Sequence, residues 1–76
     1  MRIAALQHDI VWEDAAATCD LLEPLIAAAA EDGARLVVLT EMFGPGFSLA
    51  ADRIAEDTTG PSVTFLSDQA VEHGLW

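Results

Sequence analysis

The sequence contains no lysine, and its only side chains carrying a permanent positive charge are Arg2, Arg35 and Arg53. Against thirteen acids this leaves a formal net charge of −10. Nucleic-acid affinity comes largely from cations placed on phosphates, so nucleic acid is excluded as a partner, and an anionic membrane surface with it. The acids are spread along the chain rather than gathered in a tail, which is the pattern of a solvated surface. The single cysteine, Cys19, cannot form an internal disulfide. The two histidines, His8 and His73, stand far apart with no partner at metal-ligand spacing, so neither a structural metal nor a cofactor is expected. No apolar run approaches the roughly 18 residues that span a bilayer. The stretch Ile3–Leu6 is too short for the core of a secretory signal, and a free thiol suits a reducing compartment, so the cytoplasm is expected. There is no internal repeat, low-complexity tract or linker.

What is present is apolar. At 76 residues the chain is at most one small domain, yet 53% of it is hydrophobic. A domain of this size buries only about 60% of the surface its unfolded chain exposes. So rich a composition implies a segment that expects more protein to pack against. The apolar run within residues 2–8 reads as a strand buried on both faces. Asp14 is placed to cap an alanine-rich helix, whose stripe runs through Ala15, Cys19, Leu22, Leu25/Ile26 and Ala29. Gly33 ends that helix, and Pro24 predicts a kink inside it, with two shorter helical pieces as the alternative. Residues 35–40, "RLVVLT", form a second strand. Strand, helix and strand in this order predict a parallel βαβ unit with a right-handed crossover. A loop follows over 41–48, then a short helical turn within 49–56. A second helix starts near Pro61, with Gly60 or Ser62 near its cap, and stops at Gly74. Leu75 and Trp76 read as the start of a further strand.

Glu41 stands at the end of the most hydrophobic strand. In a parallel α/β sheet, active sites form just beyond the carboxyl ends of the strands. Apolar surroundings there desolvate a carboxylate and make it a stronger base. The Gly44-Pro45-Gly46 turn swings the chain across such a site, and Phe43 and Phe47 are placed to wall it. The loop is not a phosphate cradle, because it lacks the glycine spacing and the lysine of one.

The stretches "RIAALQHDIVWED", "GARLVVLTEMFGPGFS" and "GPSVTFLSDQAVEHGLW", in this order, resemble the opening of the nitrilase superfamily of carbon–nitrogen hydrolases. The resemblance covers essentially all 76 residues. It implies an α/β fold in which residues 1–76 are the N-terminal βαβα portion of a four-layer αββα sandwich. It also implies cleavage of non-peptide C–N bonds in small amides or nitriles, in a parent enzyme that forms a homo-oligomer. "EMF..GFS" is most similar to the omega-amidase-like branch. The family's chemistry uses a glutamate as base, a lysine for the oxyanion and a cysteine as nucleophile. Glu41 matches the glutamate, and Phe47 is the substrate-binding candidate. Nothing here matches the lysine. Cys19 precedes Glu41, whereas the family's nucleophile follows both partners. Thr40 stands where many members carry proline, and Pro45 interrupts a loop that often carries threonine before the glycine.

The remaining residues have simpler roles. Cys19 reads as a small buried residue on a helical stripe. His8 follows the first strand, where it could approach the site, and reads as a loop residue or one that supports the site from behind; His73 complements the C-terminus of its helix. Trp12 and Trp76 are packing residues. On this reading the chain is the opening part of a larger amidase and is inactive alone. The rival reading is a non-catalytic acidic α/β module that binds a protein or a small ligand.

Overall fold

The computed structural model describes residues 1–76. Strand β1 covers Arg2–Ala5, helix α1 Ala15–Glu31 and strand β2 Ala34–Val38. A single turn, α2, covers Ala51–Ile54, and helix α3 covers Pro61–His73. The two strands are parallel, as the βαβ pattern predicts, with Ile3 opposite Leu36 and Ala5 opposite Val38. The protein is thus an α/β unit. Leu6 extends the ladder by donating its N–H to the Val38 carbonyl. On the other edge of β2, the Trp76 N–H donates to the Arg35 carbonyl and the Val37 N–H donates to the Trp76 carbonyl. That alternation is the bonding of a parallel pair, so the chain at Trp76 lies along β2 opposite β1.

The helices form where local chemistry dictates. The Asp14 carboxylate accepts the Ala17 N–H at 3.0 Å and caps α1. Gly33 follows the helix at φ +97, a left-handed conformation that glycine adopts without steric cost. Gly74 stops α3 in the same way, at φ +64. Pro24 lies inside α1, and the helix runs through it from Ala15 to Glu31.

Helix α1 packs against both β2 and α3. Its buried line is Thr18, Leu22 and Ile26, four residues apart, so Thr18 occupies the place that the sequence pattern gave to Cys19. The reason is polar. The Thr18 hydroxyl accepts the Val11 N–H at 3.0 Å and donates to the Asp14 carbonyl at 3.1 Å. Those bonds offset the burial of a hydroxyl and tie the connector to the helix. Cys19 is half-buried beside this line.

The expectation of a strand buried on both faces does not hold for β1. Ile3 is 58% exposed and Val38 48% exposed. Both lie on the face of the sheet that no helix covers, because side chains alternate across a strand and α1 packs on one side only. No helix is long and apolar enough to cross a membrane.

Candidate active site

Three residues past β2 the chain reaches Glu41, which opens the turn 41–45. The sequence put Glu41 directly after a strand over 35–40; β2 ends at Val38, so Leu39 and Thr40 separate the acid from the carboxyl end of the strand. The carboxylate is exposed, so the desolvation expected of that position is not supplied by residues 1–76. Two strands with helices on one face enclose too little space to wall it off.

The loop after Glu41 is tightly held. The Gly46 N–H donates to the Met42 carbonyl at 3.0 Å, closing a turn in which Met42 itself takes φ +55. Gly44 is buried, and a Cβ there would lie 3.2 Å from the Ala15 Cβ. The loop backbone thus sits directly on the first residue of α1. Gly46 takes φ +81, and a Cβ on it would meet Ile10 Cγ2 at 3.2 Å and the Trp12 ring at 3.3 Å. Trp12 is therefore a packing residue for this glycine, although its other side stays exposed.

The segment between β1 and α1 completes the frame. His8 Nε2 lies 3.2 Å from the Phe43 carbonyl oxygen. The Glu13 N–H donates to the Pro45 carbonyl at 2.7 Å. The Glu13 carboxylate accepts a forked pair of bonds from Arg53 Nη2 of α2, at 3.0 and 2.7 Å. The Pro45 carbonyl is thus an anchor for the loop.

Phe47, near the end of the loop, is 73% exposed. Cys19 is on α1. Its thiol is pushed up from the ordinary cysteine range, first by burial and then by the carboxylates Glu56 and Asp20. That is the opposite of what a nucleophile needs. His73 occupies the last turn of α3, as expected. No group of three or more histidine, cysteine, aspartate or glutamate side chains is placed to hold a metal. The clamp made by His8 and Glu13 has no signature in the sequence, because its partners Phe43, Pro45 and Arg53 lie far along the chain. Thr18 had one available signal, its position four residues after the capping Asp14.

This strand-end acid and its loop lie within a match to the carbon-nitrogen hydrolase family that runs over residues 2–76. The chain belongs to that family. Among individual carbon-nitrogen hydrolases it is similar to a bromoxynil-specific nitrilase of Klebsiella pneumoniae subsp. ozaenae, with 48% identity over 46 residues. It is 46% identical over 46 residues to an aliphatic nitrilase of Rhodococcus rhodochrous. It is 45% identical over 47 residues to an arylacetonitrilase of Aspergillus niger. These matches take in 60–62% of this chain but only 13–14% of the relatives' own length. No solved structure matches the chain. These relatives are nitrilases and none is an omega-amidase, so they lend no support to the omega-amidase-like branch.

Proposed function

We propose that residues 1–76 are the N-terminal part of a nitrile-hydrolysing member of the family, in which Glu41 is the general base. The observation that carries this is the position of Glu41: an acid just past the end of a parallel strand, on a loop fixed at both sides. The names of the similar proteins favour nitriles over amides as the substrate class. The nucleophilic cysteine and the oxyanion-stabilising lysine are supplied from outside these residues, since Lys is absent and Cys19 is on the wrong element with a raised thiol.

In this scheme the carboxylate takes the thiol proton as sulfur adds to the nitrile carbon, and the nitrogen gains that proton to give a thioimidate. Water activated by the same carboxylate converts the thioimidate to a thioester with loss of ammonia. A second water releases the carboxylic acid and restores the thiol. An amide substrate would lose ammonia as it forms the same thioester, so the two classes differ only in the first half of the cycle. Phe47, exposed beside the loop, is offered as one wall of the substrate site once further protein covers it.

The test is Glu41→Gln in the full-length enzyme, assayed on short nitriles and on the matching amides. The isostere keeps size but cannot accept the proton, so kcat/KM should fall by at least about a hundredfold. Turnover close to that of the unaltered enzyme would make Glu41 an ordinary loop residue. Hydrolysis of amides with none of nitriles would return the protein to the amidase branch.

A further inference from the structure

Residues 8–13 connect β1 to α1, and two of their groups hold the loop that carries Glu41. The first is the His8 ring, with Nε2 at 3.2 Å from the Phe43 carbonyl. A carbonyl oxygen only accepts, so the hydrogen must be on Nε2. The ring is part-buried, and its Nδ1 is enclosed with no protein partner. The second group is the Glu13 N–H, bonded to the Pro45 carbonyl. Glu13 takes φ +52, a strained conformation for a residue with a side chain, and the Arg53 fork holds it there. Carbonyls 43 and 45 are thus both pinned, on either side of the buried Gly44.

We infer that His8 is a positioning residue for Glu41: its Nε2–H holds the Phe43 carbonyl, two residues past the acid, and together with the Glu13–Pro45 bond it fixes where the carboxylate leaves the end of β2. This rests on the reading of Glu41 as the base. Without His8, no hydrogen bond to another element holds residues 40–43, and the loop keeps only its own turn, the packing of Gly44 on Ala15 and the bond at Pro45. The acid then swings about Thr40 and spends less time at the reacting atoms. A base displaced by about 1 Å can lose on the order of a hundredfold in rate.

The experiment uses the full-length enzyme carrying His8→Leu, His8→Gln, His8→Asn or Glu41→Gln. In His8→Leu, kcat should fall about tenfold or more while KM stays within about twofold, since the substrate contacts are untouched. In His8→Gln, the amide nitrogen reaches as far as Nε2 and should restore kcat to within about threefold, whereas His8→Asn is too short and stays low. The Gly46 amide should exchange its hydrogen faster in His8→Leu and His8→Asn than in His8→Gln. If His8→Leu keeps its kcat while Glu41→Gln is inactive, His8 is only packing, and the reading of Glu41 survives without it. If Glu41→Gln stays active, that reading fails and the role of His8 goes with it. Should His8→Leu not fold, equal turnover in the glutamine and asparagine variants would overturn the inference by itself.

Discussion

Cys19 and Phe47 show how little a residue's type says about its task until its surroundings are known. The Cys19 thiol is raised by burial first and by Glu56 and Asp20 second. The folded chain therefore binds that proton more tightly than the unfolded one. The associated stability is present below the unfolded-state value and is lost as pH rises through the folded-state value. Alkylation of Cys19 by iodoacetamide should accordingly set in at a higher pH in the native protein than in the denatured one. An equal or earlier onset in the native protein would show that the thiol is not shielded. Cys19→Ala should leave the full-length enzyme's turnover within about twofold. Phe47 buries little of itself here, so Phe47→Ala should change stability by less than about 0.5 kcal/mol. If it walls the substrate site, the same variant raises KM. An unchanged KM across nitriles of different bulk would remove it from the site.

The start of α3 is a device of the element, not of one residue. Gly60 stands at the N-cap and has no side chain to satisfy the first amides. Glu56 does it instead, accepting the Ser62 N–H at 2.6 Å and the Ser62 hydroxyl at 2.7 Å. A negative charge at a helix N-terminus also complements its dipole. Gly60 is needed for room: a Cβ there would lie 2.8 Å from both the Glu56 Cβ and its Oε1, and 3.1 Å from the Asp57 carbonyl. Its φ is −72, so backbone conformation is not the reason. Gly60→Ala should therefore cost about 1–3 kcal/mol through crowding. Glu56→Ala should cost about 1 kcal/mol through the lost cap. Combining them should cost less than the sum, since each disables the same carboxylate. Faster hydrogen exchange confined to the first turns of α3 is the expected readout, and uniform exchange would count against the device. Next to it, Asp57 accepts both the N–H and the hydroxyl of Thr59, and these bonds hold its carboxyl below the usual range. This turn should tighten above the unfolded-state value and loosen as pH falls through the lower, folded-state value.

The whole molecule is short of interior. Of 76 residues only seven are buried, and the large apolar side chains among them are Leu22 and Ile26. Met1, Leu49, Val71 and Trp76 are each more than 80% exposed. Beside β2 an apolar cleft of about 540 Å³ opens between Ile26, Val37, Leu66 and Trp76. The buried Gln69 also lines it, with an unpaired Oε1. So much uncovered apolar surface is unusual for a soluble monomer. The 76-residue chain by itself should bind a hydrophobic dye, melt over a broad range and hydrolyse neither nitriles nor amides above background. A sharp, cooperative melt from a monodisperse monomer would instead support a self-sufficient module.

Local chemistry made part of this protein legible in the sequence alone. Asp14, Gly33 and Gly74 mark helix ends because a capping carboxylate and a left-handed glycine act within a few residues of themselves. The order of strand, helix and strand carried the parallel pairing, since a crossover of that length returns in the same direction. Glu41 could be placed at a strand end for the same reason, and the family followed from the order of the stretches around it. Burial and long-range contact could not be read that way. Thr18 outranks Cys19 as a buried residue only because the Val11 amide comes to its hydroxyl. The exposure of Ile3, Val38 and Glu41 depends on which faces other elements cover. The clamps from His8 to Phe43 and from Glu13 to Arg53 join residues 35 and 40 positions apart. Only the folded chain brings such groups within hydrogen-bonding distance, because no periodicity or propensity acts over that separation.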